Sequence, residues 1–224
     1  MSIARLACTL WMALGLILPA LATAAGAVNG RPNVVFVLVD DLGYGELGCY
    51  GNTRAHTPNI DRLASEGVRF ERFYVNSPIC SPSRVAFMTG QYPARWRITS
   101  YMEGRAINAR RSMADWLLTD APSLARMLRG SGYRTGHFGK WHMGGGRDVG
   151  DAPLITEYGF DESLTQFEGM GDRIFPTFDT LLPKQPHRAL PLGLASEKLG
   201  RGKTEFVKRS EVTGRYVGAA LDFI

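Results

Sequence analysis

The stretch whose reading decides the fold is "PNVVFVLVDD", Pro32 to Asp41, in which the apolar run Val34 to Val39 is closed by two carboxylates. An apolar run without alternation reads as a strand buried on both faces, as in the middle of a parallel sheet. Open α/β sheets place their ligand sites at the carboxyl ends of the strands, so Asp40 and Asp41 stand where chemistry is expected. Two adjacent carboxylates repel each other and need a cation or several donors as compensation. A hard divalent ion, which takes oxygen ligands, would supply it. A turn or helix-capping role in "DDLGYG" would account for the pair as well, and the pair alone does not choose.

Outward from that run, strand and helix patterns alternate. In "HTPNIDRLASEGVRF", Thr57 is placed as N-cap, Pro58 at the first helical position and Gly67 as the stop, with Ile60, Leu63 and Ala64 on one face. "VRFERFYV", Val68 to Val75, alternates as a strand. "SPSRVAFMTG" opens a second helix with Pro82 in its first turn and Gly90 near its end. "APSLARMLRGSGYRTGHFGKWH" repeats the arrangement: a helix near Pro122 to Leu128, a glycine turn, and a strand running into Lys140 and His142. Such alternation predicts an α/β fold, a mostly parallel sheet covered on both faces by helices. From Gly144 to Gly202 the pattern weakens and reads as excursions on the site side of the sheet. Residues from about Glu205 to Ile224 read as a closing helix. There is no internal repeat and no low-complexity tract.

The beginning of the chain sets the compartment. Arg5 precedes an apolar run from Leu6 to Leu18, followed by Pro19 and the small-residue triplet Ala22-Thr23-Ala24. That is the plan of a secretory signal peptide, residues 1–24, cleaved near Ala24 or Ala25. The run is shorter than the ~20 residues a membrane span needs, and nothing later is long and apolar enough. The expectation is therefore an exported product, periplasmic or secreted, with no membrane span after cleavage and a single domain from residue 25 to 224. The formal net charge of +5 suits an anionic small substrate and is too diffuse to argue for nucleic acid. Cys8 leaves with the signal, so Cys49 and Cys80 are the mature thiols. A disulfide between them is the default in an oxidising compartment. The residues around Cys80 argue for another role.

Cys80 lies immediately before the helix read as starting at Ser81-Pro82. The free N–H groups and the positive end of the helix dipole favour an anion there, a thiolate or a bound oxyanion. Arg84, about one turn further on, can point back to the same end. Hydrolysis of an anionic ester fits this pairing of nucleophile and cation. A plain thiol would need a neighbouring base and is a soft ligand for a hard ion. Lys140 and His142 are two apart and would share a face on a strand, which also describes an ordinary polar strand end. His56 and His137 read as surface or turn residues, and Cys49 as a small packed residue. Arg105, Arg110 and Arg111 read as a solvated face, with contact to an anionic substrate as the alternative.

"CSPSR" resembles the Cys-x-Pro-Ser-Arg signature of the sulfatases, in which the cysteine is converted to formylglycine. "RPNVVFVLVDDLGYGELGCYG", "TPNIDRLASEGVRF", "SPICSPSRVAFMTGQYP", "GYRTGHFGKWH" and "YGFDE" stand in that family's order across residues 31 to 162. The resemblance implies an alkaline phosphatase-like sandwich and a sulfuric ester hydrolase. It implies Asp40 and Asp41 as metal carboxylates, with Ca²⁺ as the ion or Mg²⁺ as the alternative. By the same resemblance Cys80, once oxidised by a formylglycine-generating enzyme, is both metal ligand and nucleophile. Arg84 matches the arginine that stabilises the formylglycine, while Lys140 and His142 match groups around the sulfate and the aldehyde hydrate. The implied substrate is a small-molecule or glycan sulfate ester.

The sequence departs from the family in one respect. Sulfatases complete the site with an Asp-Asn pair, a further histidine and a second lysine downstream, and this chain stops at Ile224 before any matching segment. The fold is accordingly expected to be incomplete at the C-terminus. Two readings follow: the amino-terminal part of a longer or split sulfatase, or a truncated, non-catalytic relative that binds an anion or metal. A phosphatase of the same superfamily is disfavoured by the cysteine signature.

Overall fold

The structure is a computed structural model that describes residues 30–166, 168–177 and 197–224. The expected signal segment, residues 1–24, lies outside them. The chain divides into two units, Met1–Val39 and Asp40–Ile224. In the first, residues 30–39 form no strand, and the apolar side chains from Val34 to Val39 are open, from 38% exposed at Leu38 to 77% at Val37. This corrects the buried central strand expected there. Such a run becomes a central strand only with a ladder on each edge and a layer on each face, and none of the four described strands pairs with it.

The second unit is built on short helices and a parallel sheet. Helix α1, Pro58–Glu66, starts after Thr57 with Pro58 at its first position and stops at Gly67, whose N–H donates to Leu63 O at 3.0 Å. Its apolar side lies open, with Leu63 69% exposed. Asp61 ties α1 to the preceding turn by accepting from Cys49 N at 2.7 Å and Thr57 Oγ1 at 3.0 Å. Residues 68–75, expected as a strand, form none and are exposed, for the same lack of a ladder partner.

Helix α2, Cys80–Thr89, begins one residue earlier than expected, with Ile79 as N-cap, so Cys80 sits inside the first turn rather than before it. It ends where the sequence placed its end. Gly90 takes the left-handed conformation at φ 67°, which any side chain would resist, and donates its N–H to Ala86 O at 2.8 Å. Helices α3, Arg105–Arg110, and α4, Leu124–Gly130, follow. Ser123 caps α4 by accepting Arg126 N and donates its hydroxyl to Tyr158 O at 2.5 Å.

The sheet has four parallel strands in sequential order: β1, Gly136–Lys140; β2, Glu162–Gln166; β3, Arg173–Thr177; β4, Thr204–Lys208. β1 and β2 pair along their whole length, as do β3 and β4. β2 and β3 share a single pair, Thr165 with Arg173. The short connection between them explains this, since parallel neighbours ordinarily need a dozen or more linking residues. Helix α5, Val212–Phe223, lies against the sheet, Phe223 on Phe138 and Val212 on the Ile174 and Val207 cluster.

Three expectations are corrected here. The weakly patterned region from Gly144 to Gly202 contains β2 and β3 as well as loops. The closing helix begins at Val212, because Thr204 to Lys208 finds β3 as a partner in a five-residue register, which outweighs its helical reading. His142 does not share a strand face with Lys140: β1 ends at Lys140, and His142 has left-handed backbone at φ 53°. Cys49 is half-buried and, like Cys80, is a free thiol. No helix among the described residues is long and apolar enough to cross a membrane.

The main core holds Val85 and Met88 of α2, Ile98, Met102, Met113 and Leu117 of the following loops, and Trp141 and Met143. Full burial of each such side chain is worth about 1.5–3 kcal/mol. Because Trp141 and Met143 are both 1% exposed, the residue between them is held from either side.

Candidate active site

Helix α2, through Arg84, and the end of β1, through Lys140, converge on Asp40. Arg84 reaches back along α2, its side chain only 7% exposed, and forms an ion pair with Asp40 Oδ1 at 3.3 Å. Its other terminal nitrogen donates to the Lys140 carbonyl at 2.5 Å, so one guanidinium fork binds the strand end and the carboxylate together. Lys140 Nζ donates to Asp40 Oδ2. Burial pushes the Asp40 carboxyl up, but the hydrogen bond and charge of Lys140, then the charge of Arg84, outweigh it and hold the group below the usual carboxylate range.

The structure therefore brings Asp40, Arg84 and Lys140 into one knot, with Cys80 on the same helix as Arg84. Among the described residues, neither Cys80 nor Asp41 joins that knot through a hydrogen bond or ion pair. Asp41 has left-handed backbone at φ 58°, which turns the chain between the two carboxylates. The described residues contain no group of three or more His, Cys, Asp or Glu side chains able to hold a metal ion. Two carboxylates, one of them engaged by two cations, fall well short of the six to eight oxygens Ca²⁺ takes. The described residues by themselves do not fit a divalent ion.

His142 is 4% exposed, and its Nε2 lies 3.3 Å from Met102 O. A carbonyl oxygen only accepts, so this contact favours the tautomer protonated at Nε2. Burial first, then the charge of Lys140, pushes the imidazole down to about 4 against the opposing Met102 carbonyl, so the ring is neutral at pH 7. His137, expected at the surface, instead points into the interior. It stands edge-on to Trp141 with ring centroids 5.2 Å apart, and burial followed by the charge of Arg84 lowers it to about 4. The reason is position: His137 lies on β1 opposite Phe138, so one side chain faces α5 and the other the Trp141 side of the sheet. Arg110 is exposed, and Arg105 and Arg111, at 40% and 32% side-chain exposure, pair with Asp115 and Asp151 and with Glu103 while keeping contact with solvent.

Sequence reasoning missed the pair Arg147 and Glu168. Both have left-handed backbone, and they are joined by an ion pair in which the Glu168 side chain is 1% exposed. Burial pushes the Glu168 carboxyl up to about 7 against the pull of Arg147. The run Gly144-Gly145-Gly146 was the available signal, since all three glycines have positive φ, as a loop held in an unusual path requires.

These buried groups make a testable pH dependence. His142, lowered in the folded state, contributes stability that is full above pH 6.5 and is lost as pH falls through about 4. His137 acts in the same direction. Glu168, raised in the folded state, contributes stability that is full below pH 4.5 and is lost as pH rises through about 7. For the buried His142 and Glu168 each effect is worth about 3 kcal/mol. Between pH 4.5 and 6.5 Glu168 thus offsets one imidazole. Glu168→Gln is expected to steepen the fall of the urea midpoint with acidification across that window, and an unchanged slope would refute the assignment.

Comparisons with known proteins identify relatives of this chain. A family model described as Sulfatase matches residues 32–177. Human arylsulfatase H is 48% identical over 122 residues, 52% of this chain and 21% of that protein. The pig N-acetylgalactosamine-6-sulfatase is 34% identical over 225 aligned positions, 97% of this chain and 40% of the relative. A solved structure described under the metabolism of multiple glycosaminoglycans by Bacteroides thetaiotaomicron superposes with a TM-score of 0.53 at 37% identity, covering 61% of this chain and 28% of that one. The chain thus spans less than half the length of these relatives. The parallel sheet with its flanking helices is part of the alkaline phosphatase-like fold of such neighbours. With a matching family model over more than half its residues, "CSPSR" at the start of α2 and "GKWH" at the end of β1, this chain belongs to the sulfatase family.

Proposed function

We propose that this chain carries the nucleophile side of a sulfuric ester hydrolase, exported after removal of residues 1–24, in which residue 80 is a formylglycine made from Cys80 by a formylglycine-generating enzyme. The observation that carries this reading is the meeting of Arg84 and Lys140 on Asp40, which puts two cations on one carboxylate, one of them from the helix that bears Cys80. The positive end of the helix dipole adds to them, so the site favours a dianion in transfer. A sulfated carbohydrate is the favoured substrate class, supported by relatives described by N-acetylgalactosamine-6-sulfate and glycosaminoglycan chemistry.

In this reading the aldehyde at residue 80 adds water to form a geminal diol. One hydroxyl oxygen attacks sulfur, the bond from sulfur to the alcohol oxygen breaks, and the alcohol leaves with a proton. The second hydroxyl then gives up its proton, the carbonyl re-forms, and the carbon–oxygen bond to sulfate breaks. His142, neutral at pH 7, is the base offered for that proton. Arg84 and Lys140 counter the charge on the transferring group. A divalent cation at Asp40 and Asp41 would first have to displace Lys140 from Asp40 and recruit oxygens from elsewhere.

Mass spectrometry of the peptide bearing residue 80, from protein made in its native host, tests the reading. The expected result is an aldehyde that reacts with a hydrazide probe. A thiol on every copy overturns it.

A further inference from the structure

The backbone of Met102 links the residue after Cys80 directly to His142. Ser81, fully buried, accepts the Met102 N–H on its hydroxyl oxygen at 3.1 Å. On the other side, the Met102 carbonyl receives His142 Nε2 at 3.3 Å. The next residue is held as firmly. Asn108, also fully buried, accepts the Glu103 N–H at 2.9 Å and donates to the Glu103 carbonyl at 2.9 Å and to Asp115 Oδ1 at 3.0 Å. The Glu103 carboxylate lies between Arg111 at 3.5 Å and Arg147 at 3.4 Å. Ser81 thus holds Met102, and Asn108 holds Glu103.

A neutral imidazole has two tautomers, and the partner of one ring nitrogen decides which is populated. We propose that Met102, gripped through Ser81 and Asn108, is a positioning element that sets the His142 ring as the Nε2–H form and leaves Nδ1 as its proton-accepting nitrogen. The Met102 side chain is packed in the core at 0% exposure, which anchors the residue but does not aim its carbonyl. Aim comes from the polar grip: the Ser81 hydroxyl fixes the peptide before the Met102 Cα, and the Asn108 amide fixes the one after it. Two fixed flanking peptides leave the Met102 carbonyl a single direction. The catalytic consequence rests on the sulfatase reading. There, Ser81 and Asn108 act through Met102 on His142 and touch no reacting atom.

The test joins a spectroscopic and a kinetic arm. In the full chain, long-range proton–nitrogen spectra of the imidazoles are expected to show His142 as a single Nε2–H tautomer. Asn108→Ala and Ser81→Ala are expected to convert it to a tautomer mixture. In protein from the native host, kcat on an aryl sulfate is expected to fall by about tenfold with KM within about twofold, the scale seen when an orienting partner is lost. Ser81→Ala is the variant that decides if Asn108→Ala fails to fold, because alanine is the best helix former. An unchanged ring spectrum in folded Ser81→Ala protein overturns the positioning role, whatever kcat does. A changed spectrum with unchanged kcat overturns the catalytic half. Wild-type protein without turnover sinks the sulfatase reading instead, and the ring spectrum still judges the positioning.

Discussion

Cys80→Ala protein from the native host is expected to turn over an aryl sulfate more than about 10³-fold more slowly than wild type, with no compensating change in KM, because the atom that takes the sulfuryl group is gone. The residual rate would come from the cations alone. Cys80→Ser sharpens the case. A serine hydroxyl can attack sulfur once, but it lacks the second hydroxyl whose loss of a proton re-forms a carbonyl and expels sulfate. That variant is therefore expected to release at most one alcohol per protein molecule and to retain a stable sulfate ester on residue 80, visible in its peptide mass. Full turnover by Cys80→Ala would end the nucleophile assignment. Steady turnover by Cys80→Ser would leave a nucleophile but remove the need for an aldehyde.

Arg84→Met is expected to lower stability by about 3 kcal/mol, read as a shift in the urea midpoint at constant slope. The side chain is 7% exposed and makes two charge-assisted contacts, to the Lys140 carbonyl and to Asp40. Methionine fills much of the same space, so the loss isolates the polar contacts. The Lys140 carbonyl is left without its donor, a cost of about 1–3 kcal/mol. The Asp40 term is discounted because that carboxylate is 35% exposed and keeps Lys140. Arg84→Lys should recover only part of the loss, since an ammonium is one point charge and cannot bind the carbonyl and the carboxylate as a fork. A change below ~1 kcal/mol for Arg84→Met would show that the fork does not hold the strand end to α2.

Local signals were legible wherever one element or one turn decides the outcome. Pro58 and Gly67 bound α1, Gly90 ends α2, and Ser-Pro marks the start of the helix bearing Cys80. What failed depended on partners. Val34 to Val39 and Val68 to Val75 both read as strands, but neither pairs with any described strand. Thr204 to Lys208 could have been helix or strand by composition, and the five-residue register with β3 settled it. Glu162 to Gln166 is short and polar, and Arg173 to Thr177 is short and carries Pro176, so their strand character comes from neighbours.

By itself the sequence determined the family, the order of its motifs, and the residue types at positions 40, 80, 84, 140 and 142, because those rest on identity and short spacing. Only the tertiary structure decided how these residues meet. It joined Arg84 to Lys140 and Asp40 across 56 and 44 positions, turned His137 inward, and placed the Met102 carbonyl on His142 across 40 positions. Contacts at that separation are set by how the helix packs on the loops and by where β1 ends, and no local propensity encodes either.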